Sequence, residues 1–207
     1  MHYRHFVFDI DGTLLDTEYA VLHSLQDVIR AVQRREAPVQ DLRFALGITG
    51  DDALRQLGFA DLAAAQRLWD ERMACYQSSV RVFAGIEPLL QGLAQNGKQL
   101  GIVTSKTRAE YKTDLAPFAI TKFFPLSVCA DDTKRHKPFG DPLRQYLQTA
   151  NATADTVLYI GDSIYDSQCA QDTGVDFALA GWGAHRADIP ARYRLQTPQQ
   201  LLALLQA

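Results

Sequence analysis

The sequence contains few cysteines and no long apolar run. Its three cysteines, Cys75, Cys129 and Cys169, are odd in number and form no C-x-x-C pair. This argues against a disulfide scaffold and a cysteine metal site, and it fits a reducing compartment. No apolar run approaches the roughly 20 residues of a membrane-spanning helix, and the apolar stretch at the N-terminus is too short for a signal peptide. We therefore expect a soluble, cytoplasmic protein with no membrane partner.

An excess of basic charge is also absent. The 207 residues include 21 basic and 24 acidic ones, the formal net charge is −3, and the basic residues form no block. Nucleic-acid binders usually carry a basic stripe, so we expect no nucleic-acid partner. Apolar residues make up 47% of the chain, as in ordinary globular proteins. The length suits one compact domain, or a core domain that carries a small insert.

Strand and helix patterns alternate along most of the chain. Buried-strand patterns occur at residues 6–8, 100–104, 124–130, 156–160 and 175–180, with helical patterns between and after them. This alternation predicts an α/β fold, a Rossmann-like doubly wound parallel sheet with helices on both faces. Residues 16–82 show only helical patterns. We predict a core domain of residues 1–15 and 83–207, into which a helical domain of residues 16–82 is inserted.

Four aspartates follow the predicted strands. Asp9 and Asp11 lie where the first strand becomes a loop, and Asp162 and Asp166 follow the strand at 156–160. Ligands bind beyond the carboxyl ends of the strands in such sheets, so these carboxylates are expected in one crevice. A hard divalent cation with oxygen ligands would relieve their repulsion, which describes Mg²⁺. Asp166 also suits a simple helix cap.

Residues that suit a phosphate group accompany these acids. Thr104 and Ser105 follow a strand and offer hydroxyl and backbone donors. Lys134 or Lys137 offers a cation, and the following Pro138 favours Lys137. A metal ion, a lysine, hydroxyls and carboxylates together suit phosphoryl transfer. One aspartate would attack the phosphorus and form an acyl phosphate, and a second would exchange protons with the leaving oxygen and with water.

The order of these motifs resembles the haloacid dehalogenase (HAD) superfamily. The matching segments are Asp9-x-Asp11-Gly12-Thr13, Thr104-Ser105-Lys106, Lys137-Pro138 and Gly161-Asp162-Ser163-x-x-Asp166. Asp16-Thr17-Glu18 and the helical insert are similar to the subgroup with a small α-helical cap, and phosphoglycolate phosphatases and related small-molecule phosphatases are the nearest resemblance. The resemblance covers the whole chain.

The resemblance implies that four aspartates hold and use the metal ion. Asp9 is expected to be the nucleophile and a Mg²⁺ ligand. Asp11 is expected to be the general acid and base, with its backbone carbonyl on the metal. Asp162 is expected to be a metal ligand, and Asp166 is expected to hold the metal or its water.

The resemblance also implies which residues bind the substrate. Thr104 and Lys137 are expected to bind the phosphoryl group during catalysis, and Thr13 and Ser105 are expected to contribute to substrate binding together with Lys137. The cap is expected to close over the substrate and exclude water. The implied function is a Mg²⁺-dependent phosphatase that acts on a small phosphorylated metabolite through an aspartyl phosphate, as a monomer or weak homodimer.

The sequence leaves other functions of related chemistry open. A phosphosugar mutase of the same fold would carry an arginine at the position of Gly50 and a histidine at that of Val21, so both residues favour hydrolysis. A dehalogenase would lack the acid at Asp11. A non-enzymatic phospho-aspartyl receiver would be about half as long and would have no helical insert. An inactive relative that binds a partner would be expected to have degenerate motifs, and these are intact.

Overall fold

Six parallel strands form the central sheet of the computed structural model, which describes residues 2–206. The strands of the chain are β1 (His5–Phe8), β2 (Leu15–Asp16), β3 (Arg81–Val82), β4 (Gln99–Val103), β5 (Leu126–Val128), β6 (Val157–Gly161), β7 (Asp176–Ala180) and β8 (Tyr193–Leu195). The order in the large sheet is β5-β4-β1-β6-β7-β8, with every neighbouring pair parallel. β1 therefore lies in the interior of the sheet, between β4 and β6.

Helices cover both faces of this sheet. The helices of the described residues are α1 (Glu18–Gln33), α2 (Gly50–Gln56), α3 (Leu62–Tyr76), α4 (Ile86–Gln95), α5 (Arg108–Asp114), α6 (Asp141–Ala150), α7 (Ile164–Thr173) and α8 (Pro198–Gln206). Of these, α4, α6, α7 and α8 pack against the sheet. Phe6 and Phe8 of β1 pack in the apolar layer that contains α4 and α8. Val7, which points the other way, packs in the layer that contains α6 and α7. The predicted doubly wound α/β fold is confirmed.

The segment between β2 and β3 is helical and has an apolar core of its own. We call residues 18–79 the helical insert; it contains α1, α2, α3 and two 3₁₀ segments, Val39–Ala45 and Gln77–Ser79. Leu22, Leu25 and Ile29 of α1 pack with Leu54 and Trp69. The Trp69 indole Nε1 donates a hydrogen bond of 2.8 Å to the Ser24 hydroxyl, so α3 is fixed against α1 by a polar contact as well as by apolar burial.

Two short pairings differ from the expectations. β2 and β3 form a two-residue antiparallel ribbon where the chain leaves and re-enters the core, and β8 extends the sheet; neither has a visible pattern in the sequence. The predicted domain boundaries at 15/16 and 82/83 both fall in this ribbon and stay a prediction. The predicted strand at 124–130 is shorter, Leu126–Val128. Among residues 2–206, no helix combines the length and the apolarity that crossing a bilayer requires.

Candidate active site

The carboxyl ends of three neighbouring strands converge at one edge of the sheet. Asp9 directly follows β1, Thr104 follows β4 and Asp162 follows β6. The pairing register sets Phe8 opposite both Ile102 and Ile160, so the three strands end at similar heights. The crevice expected from the sequence is therefore present, and it is built by the backbone pairing of the central strands.

Three buried carboxylates meet in this crevice. One side-chain oxygen each of Asp9, Asp162 and Asp166 lies within 4.8 Å of the others. Asp166 lies in the first turn of α7, where its carboxylate accepts bonds from the Ser163 hydroxyl (2.5 Å) and backbone N–H (3.1 Å). Asp166 thus caps its helix and also belongs to the cluster, so a capping role and a metal-binding role are compatible for this residue.

The cluster carries more negative charge than the protein balances. Burial and the neighbouring carboxylates raise the pKa of Asp9 from 3.8 to about 7, although Lys137 opposes the rise. Burial, together with Asp166 and Asp9, also raises the pKa of Asp162 well above its usual value. A small set of crowded, buried oxygen donors is the donor chemistry that Mg²⁺ prefers. These residues fit a hard divalent cation.

Lys137 is the cation buried among these acids. Its Nζ lies 2.9 Å from Asp9 Oδ1 and 2.7 Å from Asp166 Oδ1, and it donates to the Tyr159 hydroxyl at 3.2 Å. Burial opposes the charged form of this lysine, but Asp166 and Asp9 outweigh that effect and raise the Lys137 pKa. Lys134, the other lysine considered from the sequence, is exposed.

The Tyr159 hydroxyl completes the surroundings of Asp166. It lies 2.7 Å from Asp166 Oδ1 and 3.0 Å from the Val103 carbonyl, and the residue is fully buried. The role of this tyrosine has no signal in the sequence, because an aromatic residue inside a buried-strand pattern normally belongs to the apolar core. Its hydroxyl orients a carboxylate of the cluster without being part of any recognisable motif.

Asp11 lies beside the cluster, with different partners. Its Oδ1 accepts a hydrogen bond of 2.7 Å from the Thr17 hydroxyl and lies 3.3 Å from Lys106 Nζ. Lys106 is also 2.7 Å from Asp114 Oδ2. Burial opposes the charge on Lys106, but Asp11 and Asp114 outweigh it and raise the Lys106 pKa. Lys106 directly follows Thr104-Ser105, but no role for it was predicted from the sequence.

The hydroxyl residues expected to bind substrate have specific protein partners. Thr13 Oγ1 donates to Asp162 Oδ1 at 2.9 Å, so this hydroxyl orients a carboxylate of the cluster. Ser105 Oγ donates to the Gly47 carbonyl at 2.8 Å, which joins the loop after β4 to the helical insert. Thr104 Oγ1 accepts a bond of 3.2 Å from the Lys106 backbone N–H.

Gly12 permits the loop that carries Asp9 and Asp11. Its φ of +73° lies in the left-handed region, and a Cβ at this position would collide with the Asp162 carboxylate. Trp182 supports the same loop, because its indole Nε1 donates to the Thr13 carbonyl at 2.9 Å. The loop is therefore fixed by backbone geometry on one side and by an aromatic side chain on the other.

Two cavities open beside these residues. The first, of about 220 Å³, is lined by Asp9, Asp11 and Ser105 on the core side and by α3 on the insert side. The second, of about 350 Å³, is lined by Asp162 and Trp182 among others. The first cavity brings the expected nucleophile and the loop after β4 together with the helical insert.

Comparison with known proteins identifies the family to which this arrangement belongs. Residues 6–180 match the family model of haloacid dehalogenase-like hydrolases. The chain belongs to the haloacid dehalogenase-like hydrolase family. The expected HAD resemblance and the expected enzyme class, a HAD-type phosphatase, are confirmed at this level.

Individual relatives agree with this assignment. A solved structure from Lactobacillus plantarum, provisionally named phosphoglycolate phosphatase, is 32% identical in sequence and has a TM-score of 0.89. The match covers 99% of this HAD chain and 100% of the Lactobacillus chain. Pyrophosphatase PpaX of Bacillus thuringiensis is 25% identical over 179 residues, which are 85% of this chain and 82% of the relative. CbbY from Rhodobacter sphaeroides, solved with phosphate, is 17% identical with a TM-score of 0.84 over 96% of each chain, and supports the fold alone.

Proposed function

We propose that this protein is a Mg²⁺-dependent phosphatase that hydrolyses a small phosphate monoester through an aspartyl phosphate on Asp9. One observation carries the proposal: Asp9 belongs to the buried carboxylate cluster and also lines the first cavity. A carboxylate in this position can bind a cation together with the other two aspartates and also contact a substrate in the cavity. The names of the pyrophosphatase and phosphoglycolate phosphatase relatives support hydrolysis of a phosphate bond.

In this proposal, the carboxylates of Asp9, Asp162 and Asp166 hold the metal, together with the backbone carbonyl of Asp11. The bound ion supplies positive charge that offsets the carboxylates and the phosphate, so that an anionic nucleophile can approach an anionic substrate. Thr13 and Tyr159 orient Asp162 and Asp166 through the hydrogen bonds described above. Such supporting contacts are expected to matter for metal affinity.

The remaining residues carry out the reaction. A carboxylate oxygen of Asp9 forms a bond to phosphorus while the bond to the leaving oxygen breaks, and Asp11 donates a proton to that oxygen. Asp11 then takes a proton from a water molecule, whose oxygen attacks the phosphorus and releases Asp9 and inorganic phosphate. Lys137, with Thr104 and the loop at Ser105, binds the phosphoryl oxygens. Positioning and charge stabilisation supply most of the acceleration.

The cavity favours hydrolysis over transfer between two phosphorylated forms. A mutase needs a cation for the second phosphate of its intermediate, and Gly50, which lines the first cavity, stands where the mutase turn would carry arginine. Water is then the natural acceptor of the phosphoryl group.

The nucleophile is tested with Asp9→Asn. We expect phosphate release from p-nitrophenyl phosphate to fall by at least about 10³-fold, because the amide is a poor nucleophile. Asp188→Asn, which removes an exposed carboxylate, is the matched control and is expected to retain activity. Mass spectrometry of acid-quenched wild type is expected to locate a phosphoryl group on the peptide that contains Asp9. Near-parental turnover of Asp9→Asn would overturn the assignment.

The metal is tested by exhaustive chelation. We expect EDTA to abolish turnover and Mg²⁺ to restore it, with Asp162→Asn requiring more Mg²⁺ than wild type. Full activity of the chelated protein would contradict the metal assignment while leaving the covalent mechanism open to the Asp9 test.

A further inference from the structure

The first cavity extends beyond the catalytic residues, between the helical insert and α5. Its lining continues from Asp9 and Ser105 to residues of α3 and of α5. When a phosphoryl group is bound beside Asp9, the rest of the substrate, which is the leaving group, would occupy this part of the cavity. The chemistry of these walls therefore indicates which leaving group the site accepts.

Two carboxylates face each other across this part of the cavity. Asp70 belongs to α3 and Glu110 to α5, and both line the cavity. Gln66 Nε2 connects them, at 2.8 Å from Asp70 Oδ1 and 3.4 Å from Glu110 Oε1. Burial raises the pKa of both carboxyls. Asp70 is exposed and Glu110 is half-buried. In their ionised forms both carboxylates repel an anion.

The positive charge among the described residues that line the cavity is already paired. Lys106 is the basic residue among those that line it, and its ammonium already pairs with Asp114 at 2.7 Å and Asp11 at 3.3 Å. Five carboxylates line the cavity: Asp9, Asp11, Asp70, Glu110 and Asp114. Asp9 is paired with Lys137, and Asp11 and Asp114 share Lys106, so among the described residues Asp70 and Glu110 are the two of this set without an ion pair. An anionic leaving group that extends beyond the phosphoryl site would lie beside Asp70 and Glu110, two carboxylates that no ammonium of the described cavity lining neutralises by an ion pair.

Neutral side chains form the rest of the wall, and some of them are polar, such as Gln66, Gln77 and Thr113. Val21, Leu46, Ile48, Trp69 and Met73 line the cavity. Its volume of about 220 Å³ is below the roughly 300–1,000 Å³ of sites for drug-sized ligands. Such a space accommodates a small organic group with some apolar surface and with O–H or N–H donors for the carboxylates.

We infer that the substrate is a phosphate monoester of a small alcohol whose leaving group is uncharged or positively charged, and that Asp70 and Glu110 disfavour anionic leaving groups. This inference rests on the proposed function. It gives this chain a substrate class different from those named for its relatives, since glycolate and phosphate are both anionic leaving groups.

Three esters of matched size test the inference with the wild-type enzyme and Mg²⁺. They are 2-hydroxyethyl phosphate, 2-aminoethyl phosphate and 2-phosphoglycolate, whose leaving groups are neutral, cationic and anionic. We expect kcat/KM for each of the first two to exceed that for phosphoglycolate by at least about tenfold, as unbalanced like charges in a partly buried site imply. Pyrophosphate is expected to be a similarly poor substrate.

Two variants locate the discrimination. Asp70→Asn and Glu110→Gln each remove one charge, and glutamine retains the carbonyl that accepts the Thr107 N–H at the start of α5. We expect each to raise kcat/KM for phosphoglycolate relative to 2-hydroxyethyl phosphate by about three- to tenfold. Glu71→Gln is the matched control: Glu71 is exposed on α3 like Asp70, but it does not line the cavity, so the ratio is expected to stay constant.

The possible results separate the two proposals. Hydrolysis of all three esters with equal or better rates for phosphoglycolate overturns the inference and leaves the phosphatase proposal standing. Equal effects of Glu71→Gln and the cavity variants overturn the assignment to Asp70 and Glu110. No hydrolysis of any ester, with none of p-nitrophenyl phosphate either, overturns the proposed function and the inference together.

Discussion

The metal-free protein is expected to lose stability as the pH rises from about 4 to about 8. Asp9 is 2% exposed, and burial with its acidic neighbours raises its pKa from 3.8 to about 7. The folded protein therefore binds a proton at Asp9 in a pH range where the unfolded chain has released it. Because the folded state binds more protons there, the free energy of unfolding falls as pH increases through this range.

The size of this loss follows from the pKa difference. One pKa unit corresponds to about 1.4 kcal/mol, so a rise from 3.8 to about 7 corresponds to roughly 4 kcal/mol. The loss develops above the unfolded-state pKa and is complete above the folded-state pKa. Since small domains unfold with about 5–15 kcal/mol in total, an effect of this size is readily measured.

Urea unfolding in EDTA across this pH range provides the measurement. The Asp9→Asn variant supplies the reference, because it lacks the titrating carboxyl while other groups continue to titrate. His5 is one of these: burial lowers its pKa, which contributes with the opposite sign. We expect the pH-dependent loss to be larger in wild type than in Asp9→Asn by a few kcal/mol. Equal pH dependence of the two proteins would refute the charge-crowding account.

Mg²⁺ is expected to reverse this loss at the upper end of the pH range. At 100 times its dissociation constant, a ligand specific for the folded state stabilises by about 2.7 kcal/mol. We expect this gain in wild type and a much smaller one in Asp9→Asn. Equal stabilisation of the two proteins would place the ion outside the carboxylate cluster.

Three further substitutions test individual contacts. Asp11→Asn is expected to slow hydrolysis of an alkyl phosphate about 10²–10⁴-fold and that of p-nitrophenyl phosphate less, because a good leaving group needs little proton donation; equal slowing in steady-state assays would remove its acid role. Lys106→Met leaves the carboxylate of Asp114 without its ammonium and is expected to cost roughly 3–5 kcal/mol in urea unfolding; a loss under about 1 kcal/mol would contradict the pairing. Tyr159→Phe removes a buried hydroxyl from Asp166 and is expected to cost about 1–3 kcal/mol, and an unchanged unfolding midpoint would show that this bond contributes nothing.

The convergence of the main aspartates was predictable because it depends on backbone features that sequence patterns report well. Asp9 and Asp162 each follow a run of buried-strand residues, and parallel strands align their carboxyl ends at one edge. The position of Asp166 follows from the helix that begins just after Asp162. No side-chain detail was needed to predict that these acids share a crevice.

The short strands could not be predicted, because they have too few residues to show a recognisable pattern. β8 is three residues long, with the exposed Arg194 at its centre, and β2 and β3 have two residues each. A period-two pattern needs at least four residues to be recognised. These strands are set by what lies beside them: β8 by the free edge of β7, and the ribbon by the need to return the chain to the core.

Side-chain partners posed a different problem, since they depend on contacts between distant segments. Tyr159 has the sequence context of a core residue, yet its hydroxyl reaches Asp166 and Lys137. Ser105 has the context of a phosphate-binding loop, yet its hydroxyl reaches Gly47 of the insert. Both residues lie in the elements expected from the sequence. The hydrogen-bond partner of each hydroxyl, however, comes from a distant segment and is not specified by any local pattern.

The residues that we propose to distinguish substrates are the hardest to predict, and the charges on α3 show why. Asp70 and Glu71 are adjacent acids, and the sequence offers no means of choosing which of them faces the core. In the structure both are exposed, but Asp70 lines the cavity beside α5 and Glu71 does not, a difference set by how α3 rotates to bury Trp69 against Ser24. The packing of the insert's own core thus determines which of the two charges lines the cavity. In the proposals above, substrate preference therefore depends on helix packing in the insert, while the reaction depends on the strand ends.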